Sequence, residues 1–239
     1  MATTKKKKTA SYLKDFEKLA GSLLLVIYLI LLPLFSGAIA SGIGTLLGIS
    51  ISRGLCNIIC FYLLFAAVVL VFHSFLFETS QLFFKNMEKC FKTLGIALVF
   101  FYGLNEILFR VTHLLWDNGT NLNDTALIND LSAAPPMTAL AVVLLVPIIE
   151  EVLFRGLVFG WLREHSRAVA YIISCLVFAL LHTWQFTSFH VDVYHILLLT
   201  QYVVPGFILT WAYDRSGSLW TSIGTHAAVN ALAVWTFLW

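Results

Sequence analysis

The chain has 239 residues, of which 59% are hydrophobic and only 12% charged, against about 25% charged in an ordinary soluble domain. Mean hydropathy is +0.87 and the net charge is +2. These values exclude a soluble enzyme and point to an all-α, polytopic membrane bundle, in which the placement of the basic residues matters more than their sum.

A membrane-crossing helix needs about 20 mostly apolar residues. In chain order the candidates are 19–40, 55–77, 94–115, 137–161, 168–186, 194–213 and 218–239. The first is too long for a signal-peptide core and has no clear cleavage site, so it reads as an uncleaved span. Before it, the run Lys5 to Lys8 reads as a topology signal that touches anionic head groups, and nucleic-acid binding is not expected. Alternate connections place 12 of the 15 basic residues on one side: Lys5 to Lys8, Lys14 and Lys18; Lys85, Lys89 and Lys92; Arg163 and Arg167; Arg215. The bias predicts a cytoplasmic N terminus, with seven spans carrying the C terminus to the other face. Trp116, Trp161, Trp184, Trp211, Trp220, Trp235 and Trp239 all fall near predicted helix ends, as an aromatic belt requires. The polar connection 116–136 reads as an outward loop and holds two N-x-T sequons, at Asn118 and Asn123. Cys56, Cys60, Cys90 and Cys175 fit neither a zinc ribbon nor a disulfide scaffold.

The fourth span contains "VPIIEEVLFRG", residues 146–156, with two glutamates and an arginine in apolar surroundings. Ionisable groups inside a membrane are costly and mark function by default. Glu151 and Arg155 are four apart with the Glu first, the favourable order for a side-chain pair, so they read as mutually neutralising. Glu150 lies about 100° further round the helix and cannot share that geometry. It needs a polar partner from another helix or a water-filled cavity, which makes it the candidate general base. Pro147 is expected to free the carbonyl of Val143 and open the helix locally. The fifth span ends in "FALLH", with His182, and the last contains "HAAVN", with His226 and Asn230 on one face. A carboxylate with a neighbouring His can deprotonate water and later protonate a leaving amine. A second His and an Asn can donate to a developing oxyanion. Glu150 with His182 suits the first task, and His226 with Asn230 the second. No Ser or Cys occupies a nucleophile motif, so water is the expected nucleophile.

"EEVLFR" at 150–155, "FALLH" at 178–182 and "HAAVN" at 226–230 resemble the EExxxR, FxxxH and HxxxN motifs of the CPBP family. This is the CAAX-protease and bacteriocin-processing group, the Abi or Rce1-type intramembrane glutamic endopeptidases. The resemblance covers roughly 137–239, the expected catalytic core, whereas 1–136 resembles the family only in being membrane helices. It implies a helical bundle around an intramembrane cavity and metal-independent hydrolysis of a peptide bond, without a cofactor. Glu150 and His182 would activate water, His226 and Asn230 would form the oxyanion site, and Glu151 and Arg155 would support both. Members often have eight spans, where the pattern here gives seven. The implied partners are a small membrane-associated or prenylated peptide substrate and the lipid bilayer. The short chain favours the plasma membrane of a prokaryote. Three other readings stand beside this one: a zinc protease using Glu150, His182 and His226, a non-catalytic immunity or regulatory membrane partner, and a proton-relaying transporter, disfavoured because no inverted repeat is apparent.

Overall fold

The computed structural model describes residues 13–115, 128, 131, 135–184 and 193–238. These residues form eight helices and no strand. They are α1 (Asp15–Leu47), α2 (Arg53–Val71), α3 (His73–Lys85), α4 (Met87–Leu115), α5 (Pro135–Leu162), α6 (Arg167–Thr183), α7 (Val193–Ser216) and α8 (Leu219–Leu238). Among the described residues five helices, α1, α2, α4, α5 and α7, are long and apolar enough to cross a membrane; α6 has 17 residues and α8 has 20. Each expected span overlaps these helices, six of them one helix each and 55–77 two. The basic tail, both sequons, Trp116, Trp239 and most of the 116–136 and 185–195 stretches lie outside the described residues.

The expected connection carrying Lys85, Lys89 and Lys92 is helical instead. The apolar run 55–77 breaks at Phe72, where α2 ends and α3 begins. α3, "HSFLFETSQLFFK", has 13 residues, about 20 Å, and is too short to span. Its buried face, Phe75, Leu76 and Thr79, packs into the bundle, while Phe77 and Phe84 stay exposed. A hydropathy window merges this amphipathic helix with the span before it. Thus one of the eight helices is too short to cross.

Lipid is as apolar as leucine, so large side chains such as Leu23, Leu70 and Val99 point outward and small residues let helices meet inside. α5 is the central helix: 56% of its most apolar stretch is buried, against 11% in α4. A Cβ on Gly156 of α5 would stand 2.8 Å from Phe75 Cε1. One on Gly206 of α7 would meet Phe178 Cδ1 at 3.3 Å and Cys175 Cα at 3.4 Å, which marks the close approach of α6 and α7. The main core lies towards the basic end of the bundle, around Phe72, Phe75, Phe154, Phe159, Tyr213 and Leu219.

Three stretches widen into π-helical turns: 27–31 in α1, and 141–145 and 151–159 in α5. The first two precede a proline, Pro33 and Pro147. A proline ring clashes with the carbonyl four residues back and offers no N–H. Adding one residue to the turn relieves the clash and makes the orphaned carbonyl the one five residues back. For Pro147 that is Val142, not the expected Val143, and Asn230 Nδ2 donates to it at 2.9 Å.

Candidate functional site

α5 brings Glu150, Glu151 and Arg155 to the middle of the bundle, where all three are buried. Arg155 Nη1 donates to Glu151 Oε1 at 2.9 Å, so the expected pair is present. The guanidinium also donates to the Gly206 carbonyl at 3.0 Å and to Thr210 Oγ1 at 3.4 Å, and lies 4.3 Å from the Phe178 ring centroid. Arg155 therefore ties α5 to α7 and α6 with its fork of donors satisfied, which is the condition for keeping an arginine away from water.

Glu151 does more than neutralise Arg155. The same Oε1 accepts from His226 Nδ1 at 2.8 Å, and Ser222 Oγ donates to Oε2 at 2.5 Å. Accepting from Nδ1 fixes the ring and its tautomer, leaving Nε2 as the working nitrogen. That Nε2 stands 3.9 Å from Glu150 Oε2. His226 thus bridges the two carboxylates, one held by Arg155 and one facing the cavity.

Glu150 has a partner that the sequence reading did not name. Tyr28, in the π turn of α1, donates its phenol O–H to Glu150 Oε1 at 2.5 Å. Oε2 is buried and makes no hydrogen bond to a described protein atom. One oxygen is thus anchored and the other is left to act towards His226 Nε2.

His182 lines the same cavity as Glu150, His226 and Asn230. Its Nδ1 donates to the Phe178 carbonyl at 3.0 Å, and its ring stacks on Tyr202 with centroids 4.6 Å apart. That bond leaves Nε2 as a lone-pair nitrogen. Asn230 uses one of two Nδ2 protons on Val142 and keeps the other. All six residues singled out from the sequence therefore meet in or directly beneath one cavity. Tyr28 and Ser222 were missed. The only signal for Tyr28 was a lone tyrosine amid the aliphatic run of the first span, two residues before which nothing polar occurs.

The cavity has a volume of about 700 Å³. The first three spans supply part of its wall, through Tyr28, Asn57, Phe101 and Asn105, so the N-terminal helices are part of the site. Among the described residues no three His, Cys, Asp or Glu side chains are grouped so that they could hold a metal ion, which gives the zinc reading no geometric support. The charge count is informative: Glu150, Glu151 and Arg155 sum to one negative charge, and a single proton on Glu150 or His226 makes the cluster neutral. Moving one proton among water, a carboxylate and an imidazole is what hydrolysis requires.

Residues 132–232 match the family model of Rce1-like proteins, described as type II CAAX prenyl endopeptidases. YdiL of Bacillus subtilis (strain 168), which is named as a candidate membrane peptidase, is 27% identical over 77% of this chain and 71% of its own length. YxdF of Lactococcus lactis subsp. lactis (strain IL1403), a UPF0177 protein, is 29% identical over 61% of this chain and 75% of its own. No solved structure matches the chain.

Proposed function

We propose that the chain, which over residues 132–232 matches the Rce1-like family model, is an intramembrane glutamic endopeptidase that hydrolyses a peptide bond of a small membrane-associated peptide. The observation that carries this reading is the Glu150–His226–Glu151 arrangement at the cavity wall. A carboxylate oxygen without a protein donor faces an imidazole Nε2 at 3.9 Å, and that imidazole is held from behind by a second carboxylate at 2.8 Å.

In this mechanism a water held by Glu150 attacks the carbonyl carbon of the scissile bond. Its proton passes to Glu150 Oε2. The carbonyl oxygen, now an oxyanion, accepts from the spare N–H of Asn230 and from Nε2–H of His226 when that ring carries both of its protons. When the C–N bond breaks, the departing nitrogen takes a proton from Glu150, with His182 Nε2 as relay. Tyr28 holds the carboxylate in line, and Glu151 holds the His226 ring through Nδ1–H. Preorganised donors of this kind contribute about 10²–10³ in rate each, because a dry site has no water to reorganise.

The test is cleavage of candidate membrane-associated peptides by purified protein in detergent, with product masses locating the cut. Wild type is compared with Glu150→Gln and His182→Ala, each with and without a chelator. The reading expects chelator-insensitive cleavage that both substitutions abolish. Full cleavage by both variants, or loss on chelation, would sink it.

A further inference from the structure

The long helices α1, α2, α5 and α8 each divide along their length. Towards the end that carries Lys14, Lys18, Arg163, Arg167 and Arg215, their inward side chains are packed in core; towards the other end they line the cavity. In α1, Gly21 lies against Phe72, whereas Tyr28 and Ser36 face the cavity. α2 runs the opposite way and reverses the order, with Asn57 on the cavity wall and Leu64 and Val68 in core. α5 also runs that way: Val142 and Val146 line the cavity, while Phe154 and Leu157 are buried. α8 returns, with Leu219 and Ile223 in core and Asn230 and Thr236 on the wall. Helix direction alternates and the rule holds, so the asymmetry belongs to the bundle and not to any one helix.

The basic end is also tied shut. Lys18 pairs with Glu164 at 3.3 Å, and Arg167 with Asp214 at 2.6 Å. α3 lies beneath the core, held by Ser218 Oγ donating to the Thr79 carbonyl at 2.8 Å and Trp220 Nε1 donating to the Leu76 carbonyl at 3.3 Å. Lys14 Nζ donates to Ser74 Oγ at 2.8 Å on the same helix.

We infer that the site is served from the extracytoplasmic face. Among the described residues Lys14, Lys18, Lys85, Lys89, Lys92, Arg163, Arg167 and Arg215 lie towards the sealed end, and this bias marks it as cytoplasmic, so the cavity runs away from the cytoplasm. The substrate class is a peptide segment presented on the outer side of the membrane, such as the juxtamembrane part of an exported or anchored precursor, and not the prenylated C terminus of a cytosolic protein. Asn57, Asn105 and Asn230 on the cavity wall offer the paired donors and acceptors that an extended peptide backbone needs. The substrate class rests on the peptidase reading, but the direction of access does not.

The test therefore reads access without any cleavage. The parent protein carries Cys60→Ala and retains Cys56, Cys90 and Cys175, which are buried. Ser36→Cys and Asn105→Cys report the cavity, and Lys89→Cys reports the basic end. Cells are treated with a membrane-impermeant maleimide, intact and after permeabilisation, and each variant is first checked for monodisperse elution in detergent. The expected result is labelling of Ser36→Cys and Asn105→Cys in intact cells, with Lys89→Cys labelled only after permeabilisation. The inference is overturned if the cavity cysteines label only after permeabilisation, if they label in neither condition, or if Lys89→Cys labels in intact cells. Cleavage lost in Glu150→Gln is scored separately, so a failed sidedness and a failed peptidase reading give different patterns.

Discussion

Replacing Arg155 by Met keeps an apolar stem and removes the guanidinium. It deletes the bonds to Glu151, Gly206 and Thr210 and leaves a fully buried carboxylate with Ser222 and His226 as its remaining donors. Removing one partner of a buried ion pair costs about 3–5 kcal/mol, and the two surviving donors place Arg155→Met near the lower bound, about 3 kcal/mol. Glu151→Gln leaves the cation buried instead, with a carbonyl and a hydroxyl as partners, and carries a similar cost. The double variant removes both charges together, so it should recover about 2–3 kcal/mol of the summed loss as coupling energy. It should nonetheless be inactive, because His226 no longer has a carboxylate behind it. The assay is SDS-titrated unfolding of the four proteins in micelles, run beside peptide cleavage. Additive destabilisation would refute the pairing, and a double variant that cleaves like wild type would refute the role given to Glu151.

Tyr28→Phe removes one donor from the Glu150 carboxylate. A hydrogen bond to a charged group contributes about 1.5–3 kcal/mol, so kcat should fall roughly 10–100-fold with KM little changed, as steady-state kinetics would reveal. Asn230→Ala strips the Val142 carbonyl of its donor and the oxyanion of another; kcat should drop about 10²–10³-fold, while Asn230→Gln, too long for the π turn, should not restore it. Gly156→Ala places a methyl 2.8 Å from Phe75 Cε1, an overpacking cost of about 1–3 kcal/mol that a second change, Phe75→Leu, should relieve in the same unfolding titration.

Local spacing made part of the site legible. Glu151 and Arg155 are one turn apart, and side chains at that spacing meet on any helix, so their pairing needed no tertiary knowledge. His226 and Asn230 share a face for the same reason. The partnership of His226 with Glu151, 75 residues away, and of Tyr28 with Glu150, 122 residues away, had no such spacing to announce it. The sequence reading gave Glu151 wholly to Arg155, but a carboxylate has two oxygens and several lone pairs, and here it serves Arg155, His226 and Ser222 at once. The span pattern located the long helices because lipid imposes a length and a hydropathy on each. It failed at α3, where amphipathic packing beneath the core looks like a continuation of α2. The π turns were half visible: Pro147 announced an opened turn, but the extra residue moved the freed carbonyl from Val143 to Val142. Pro33 carried the same signal beside Tyr28.

The central claim is that Glu150 activates the attacking water. Its most direct test is single-turnover cleavage of an identified peptide by purified Glu150→Gln beside wild type, with peptide binding measured on both. The account predicts that Glu150→Gln elutes and binds peptide as wild type does and releases no product. Product formed by Glu150→Gln at the wild-type rate would contradict it.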